Sequence, residues 1–170
     1  MPVPRNPVSS DPLLPVAIVL GGLVVGTLDL LFATGFWATR GVPPIRILQS
    51  IAAGVLGQEA AIAGGLPSAT LGAALHYGIA TMMVLGYAVA SVRFDALRRR
   101  PIVHGLLYGL FLYAAMQYVV VPLSAANTPA KLDLPWVLSS IVAHMALVGV
   151  PCVLLARRAL RRRPPSVPAV

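Results

Sequence analysis

Four polar side chains stand inside otherwise apolar stretches: Asp29, His76, Gln117 and His144. A carboxylate placed in hydrocarbon is costly unless it is paired or protonated, so each such residue is a candidate ligand-binding position. An imidazole beside Asp29 could share or shuttle its proton. The imidazoles of His76 and His144, on facing helices, could instead hold haem iron axially or bind zinc together with Asp29. The plainer role for each is an interhelical hydrogen bond, worth about 0.6 kcal/mol and at most about 2.

The elements that must position these residues are apolar helices. Hydrophobic residues make up 58% of the chain and charged residues 11%, with a mean hydropathy of +0.83. Soluble domains carry about 25% charged residues, so this chain is too poor in charge to cover itself with a water-facing surface. Four stretches are long enough to cross a bilayer, at about 20 helical residues each: residues 13–37, 69–92, 102–122 and 135–156. The expected fold is all-α, a membrane four-helix bundle forming one domain over residues 1–163. The Pro-rich tail 164–170 is expected to be disordered. The first stretch is longer than the apolar core of a cleaved signal peptide and contains Asp29, which favours a retained helix. Pro151 is expected to kink the fourth helix.

Counting back from the helix ends at about 1.5 Å per residue places all four polar groups about 8–12 Å below the same boundary. Each has small or polar stripe-mates at helical spacing: Gly22 and Gly26 with Asp29; Ala69, Gly72, Ala73 and Ala80 with His76; Ser140 with His144; Tyr113 and Ala114 with Gln117. Small-residue stripes mark faces built for helix contact. His104, near the opposite end of the third helix and beside Tyr108, falls outside this level and is expected to meet headgroups or the basic loop.

Between the first two spans, residues 41–68 are too long for a turn. Ile45, Leu48, Ile51, Ala52, Val55 and Leu56 recur at helical spacing opposite Arg46, Gln49, Ser50 and Ala53. This predicts an amphipathic helix, either an interfacial strut or a re-entrant lid over the site. Glu59 is expected to cap or to pair with Arg40 or Arg46.

Charge placement sets the topology. Ten of the 13 Lys and Arg residues are Arg5, the set Arg93, Arg98, Arg99 and Arg100, and the set Arg157, Arg158, Arg161, Arg162 and Arg163. With four crossings these share one side, leaving Arg40, Arg46 and Lys131 on the other, so both termini are expected in the cytoplasm. Trp37 and Trp136 then fall at the outer boundary, as an aromatic belt would. The net charge of +8 is read as topology and headgroup contact, not nucleic-acid binding, because the arginines lack interleaved aromatics. The expected partners are the lipid bilayer and a second copy of the chain, which Gly22/Gly26 and Gly105/Gly109 could accommodate. Cys152, the only cysteine, excludes an internal disulfide and suits buried packing.

Phosphate-binding loops, H-E-x-x-H, G-x-S-x-G and Cys-x-x-Cys motifs are absent from the sequence, so it shows no apparatus for soluble-type catalysis. The run GTLDLLFATGFWATRGVPPIRILQSIAAGVLG (Gly26 to Gly57), with LGAALHYGIA (Leu71 to Ala80), resembles small four-helix bacterial inner-membrane proteins to which no activity is assigned. That resemblance covers the first half of the chain and implies an inner-membrane location. An acidic residue in the first of four helices is also similar to small multidrug-resistance transporters. Those have short loops, whereas this chain has a long insertion after helix 1 and two intramembrane histidines. Binding or moving a small ligand or proton, cofactor binding through His76 and His144, and a structural or assembly role in a membrane complex are the functions these features predict.

Overall fold

The computed structural model describes residues 13–126 and 133–161, and these are helical with no strand among them. Among the described residues four helices are long and apolar enough to cross a membrane: α1 (Leu13–Ala38), α4 (Gly65–Arg93), α5 (Pro101–Leu123) and α6 (Leu134–Leu160). Two shorter helices, α2 (Pro44–Leu56) and α3 (Gln58–Ala63), connect α1 to α4. Large apolar side chains such as Leu20, Leu31, Met82, Val89, Phe111 and Leu138 point away from the protein core. A helix apolar on its outward face as well as its inward one requires a solvent other than water. The tail 164–170 and Lys131 lie outside the described residues.

Helix α6 is the centre of the packing, touching α1, α4 and α5. The core between them contains Ile18, Val25, Val84, Tyr87, Val148 and the fully buried Cys152. The contacts are close because glycines remove side chains at the crossings. A Cβ on Gly109 would overlap the His144 carbonyl, and one on Gly105 would meet the Val150 backbone. A Cβ on Gly22 would overlap Thr81, and one on Gly26 would meet the Tyr77 ring. The glycine faces expected to serve a dimer are therefore occupied within a single chain. One sequence cannot distinguish these uses, since either demands small residues at the same spacing.

Both bilayer-length helices near the C-terminal half contain a proline, and both respond in the same way. A π-helical segment at Met116–Val120 precedes Pro122, and another at His144–Gly149 precedes Pro151. A proline inside a helix lacks a donor and presses on the carbonyl four residues back, and a widened turn relieves that clash. The expected kink at Pro151 is thus taken up by a π turn on its N-terminal side.

The second span begins four residues earlier than the sequence suggested. The Gly- and Pro-rich cluster Gly64-Gly65-Leu66-Pro67-Ser68, a breaker by composition, leads into and forms its first turn, with Gly65 at φ +55°. Pro67 fits there because first-turn residues need no intrahelical donor. The Ser68 hydroxyl donates to the Ala61 and Gly65 carbonyls and closes the turn from α3.

Helix α2 rotates differently from the expected amphipathic face. Its buried residues are Gln49, Ala52 and Ala53, while Val55 and Leu56 point outward. Gln49, only 4% exposed, donates its amide to the Ile62 carbonyl at 3.4 Å and the Gly65 carbonyl at 3.1 Å. Its carbonyl accepts from Arg46 at 3.2 Å. Those acceptors are carbonyls at the α3–α4 junction, so a residue assigned to the polar face is in fact a buried tie. On the next turn, Gly72 lets the Leu48 carbonyl approach α4 directly. At its far end, the Gly54 carbonyl accepts from the Ala125 amide at 2.9 Å, which joins α2 to the end of α5.

These crossings yield a direct test. Gly109→Ala should cost about 1–3 kcal/mol, the usual range for overpacking a close contact. Gly78→Ala, where a Cβ meets nothing within 4 Å, should be neutral or slightly stabilising. Unfolding of both variants in detergent measures the difference, and equal stability would refute the close α5–α6 contact.

Candidate functional site

One cavity of about 250 Å³ is lined by Asp29, His76, Gln117 and His144 together. These come from α1, α4, α5 and α6 respectively, so all four sequence candidates meet at one place. Helix α2 contributes Ile47, Ser50 and Ile51 to the same lining, and so lies over the cavity. Phe32, Trp37, Tyr113 and Trp136 supply aromatic wall.

Each histidine is oriented by a backbone carbonyl. His76 Nε2 lies 2.8 Å from the Gly26 carbonyl oxygen, across the α1–α4 contact. A carbonyl only accepts, so Nε2 donates, and the neutral ring keeps its lone pair on Nδ1. The absence of a Cβ on Gly26 allows α4 to come this close. His144 has the opposite arrangement: Nδ1 donates to the Ser140 carbonyl at 3.0 Å, leaving the lone pair on Nε2. Its ring meets Tyr113 edge-on with centroids 5.5 Å apart, and His76 meets Tyr77 in the same way.

The remaining polar groups have no such support. Asp29 and Gln117 make no side-chain hydrogen bond or ion pair among the described residues. The buried Ser140 hydroxyl is likewise without a hydrogen-bond partner there. Buried polar atoms in folded proteins are overwhelmingly satisfied, by protein, water or ligand. The Ser140 hydroxyl is the buried exception, and the half-buried Asp29 and Gln117 line the same cavity without a protein partner among the described residues. The sequence had placed Ser140 on the His144 stripe without giving it a role. An orphaned hydroxyl depends on which neighbours come within reach, and composition and spacing do not encode that.

The rim is charged and aromatic. Arg40, just past the end of α1, forms an ion pair with Asp133, the residue preceding α6. This corrects the expected pairing of Arg40 with Glu59; Glu59 is exposed in the first turn of α3, where its charge suits the helix N-terminus. The Arg40 guanidinium also sits over the Phe36 ring at 4.5 Å and near Trp37 at 5.3 Å. Trp37 and Trp136, expected only to share a boundary, are in contact, with centroids 5.3 Å apart. Asp133 also accepts from the Trp136 amide at 3.1 Å, capping α6.

His104 lies away from this group, with Nδ1 donating to the Arg100 carbonyl at 2.9 Å. Tyr108, expected beside it, instead donates to the Met83 carbonyl at 2.8 Å and packs against Tyr87. Among the described residues, no three His, Cys, Asp or Glu side chains converge closely enough to hold a metal ion. The zinc arrangement of Asp29, His76 and His144 is therefore not assembled. A 250 Å³ cavity also lies below the roughly 300–1,000 Å³ usual for drug-sized ligands, and a porphyrin is larger than those. No protein-family model, curated protein or solved structure matches this chain.

The rim pair has a pH consequence. Hydrogen bonding from Arg40, then from the Trp136 amide, holds the Asp133 carboxyl below its ordinary 3.8. A depressed folded-state value stabilises the fold above the unfolded-state value, and that stability is lost as pH falls through the folded one. The melting-temperature gap between wild type and Asp133→Asn should therefore be constant from pH 7 to 5 and close below about pH 4. A gap that does not narrow at all as the pH falls from 5 to 2.5 would mean that the Asp133 carboxylate makes no pH-dependent contribution.

Proposed function

We propose that this chain is a multi-pass protein of a bacterial inner membrane that binds a small ligand, or relays a proton, at an intramembrane site. In this reading α1, α4, α5 and α6 form a bundle, both termini are cytoplasmic, and α2 covers the site from the outer leaflet. Asp29 is the charge partner of the ligand, His76 and His144 offer one free nitrogen each, and Gln117 and Ser140 complete the polar lining. The observation that carries the proposal is the convergence of four polar residues from four spans on one cavity, with Asp29, Gln117 and Ser140 unpartnered there. A structural role alone gives a different expectation, because polar groups that lock helices together bond to one another or to backbone.

The size of the cavity limits the ligand. At about 30 Å³ per water molecule, it holds the equivalent of about eight waters. That suits a compact molecule or headgroup.

One histidine does favour a second role. The His76–Gly26 bond ties α1 to α4, as the structural reading requires. The two roles separate on substitution. Small water-soluble amines, carboxylates and neutral amides should be screened for thermal stabilisation of detergent-purified protein. A ligand at 100 times its dissociation constant adds about 2.7 kcal/mol. At least one compound should stabilise wild type, and Asp29→Asn should lose that effect while remaining folded. If no compound acts, and the double variant His76→Phe, His144→Phe still folds and keeps its cellular phenotype but melts at a lower temperature, the polar groups serve only assembly.

A further inference from the structure

We infer that the cavity takes the headgroup of a single-chain amphiphile bearing a protonated primary amine, and that this molecule reaches it sideways from the bilayer between α4 and α5. This rests on the proposed ligand-binding reading and specifies the ligand's class and route. Two features of the molecule carry it: the donor–acceptor balance of the cavity, and a second, apolar groove on the other side of its wall.

Among the described residues no Lys or Arg lines the cavity, and Asp29 is the one carboxylic acid in its lining. Asp29 offers two acceptor oxygens, the second nitrogens of His76 and His144 can accept in the neutral ring, Gln117, Ser140 and Tyr113 can accept or donate, and the Trp37 and Trp136 indoles can only donate. A carboxylate with no basic partner in the lining favours a cation over an anion, and these acceptors favour one that carries N–H donors. A primary ammonium has three N–H donors, whereas a quaternary ammonium has the same charge and none.

The second groove holds about 490 Å³ and runs between α4 and α5. Its lining is apolar apart from Tyr108, and includes Ala74, Gly78, Met82, Leu112 and Val120. Ile79, Met83 and Met116 line both this groove and the polar cavity, so they are the partition between the two. Two of the three are methionines, whose unbranched side chains rearrange at little cost. Met116 begins the π-helical segment of α5. Helices α4 and α5, though joined by the short stretch 94–100, share little close backbone packing, unlike α5 with α6 or α4 with α1. An alkyl chain in the groove would place a head one side chain away from Asp29 and the two imidazoles.

The chain's two tryptophans, Trp37 and Trp136, both line the cavity, so their fluorescence reports on its occupancy. The experiment titrates protein in zwitterionic nanodiscs with dodecylamine, dodecyltrimethylammonium, dodecanesulfonate and methylamine. Dodecylamine should give a saturable change. Asp29→Asn should weaken it at least tenfold, and dodecyltrimethylammonium and the sulfonate should each be at least fivefold weaker than dodecylamine. Gly78→Leu places a side chain in the groove at a site where a Cβ meets nothing within 4 Å; it should weaken dodecylamine at least fivefold and leave methylamine unchanged. Several results would overturn the inference. Methylamine equal to dodecylamine, or Gly78→Leu equal to wild type, removes the lateral route while leaving a ligand site at Asp29. Equal binding of the trimethylammonium or the sulfonate removes the primary-amine head. No response to any probe removes the amphiphile altogether, while a stabilising hit in the soluble-ligand screen would keep the broader reading.

Discussion

In hydrocarbon, a polar group that finds no partner within the protein finds none at all. That constraint accounts for the helical form of nearly every described residue, because a helix satisfies its own backbone. It also accounts for how His76 and His144 are held. Each turns one nitrogen onto a main-chain carbonyl, at Gly26 and Ser140, and so is half satisfied within the chain. Asp29, Gln117 and the Ser140 hydroxyl depart from the pattern, and they do so around the same cavity. Gln49, by contrast, is settled by three partners within the chain.

Two devices shape the helix backbones around the cavity. Glycines at 22, 26, 105 and 109 bring the helices together until backbone meets backbone, side chain or ring. Prolines at 122 and 151 are each preceded by a π segment. Gln117 lies in one such segment and His144 opens the other. The two devices meet in the second segment, where Gly149 and the His144 carbonyl lie against Gly105 and Gly109 of α5. His144 therefore enters the cavity lining from a crossing where backbone meets backbone.

Much of this was legible in the sequence, for a definite reason. Hydropathy and the rise per residue are one-dimensional, so four apolar spans, and a common level along them for Asp29, His76, Gln117 and His144, follow from counting alone, and the four do line one cavity. Features that depend on which surface meets which were not legible. Gln49 reads as polar-face until the Ile62 and Gly65 carbonyls are brought to it. Arg40 has Glu59 as a near sequence neighbour, but its partner is Asp133, 93 residues away. The glycine stripes announce close contact without saying whether the other surface belongs to the same chain. The early start of α4 was hidden because Gly-Gly-x-Pro serves equally as a breaker and as a first turn.

The rim and the cavity are mechanically one unit through Trp136. Its backbone amide is held by the Asp133 carboxylate that caps α6 and pairs with Arg40, while its ring lines the cavity and stacks on Phe32 at 5.8 Å. Arg40 in turn lies over Phe36 and beside Trp37, on the end of the helix that carries Asp29. Moving the start of α6 relative to α1 would therefore break the ion pair, unstack the aromatics and shift the Trp136 wall in one step. Helix α2 is fixed separately, by Gln49 to α3 and α4 and by Gly54 to the end of α5. Two independent attachments hold the same end of the cavity. The α4–α5 side is held differently: Tyr108 donates to the Met83 carbonyl at 2.8 Å, and Ile79, Met83 and Met116 are the side chains that line both the cavity and the apolar groove beyond it. The proposed lateral route would therefore displace side chains there and leave both attachments of α2 intact.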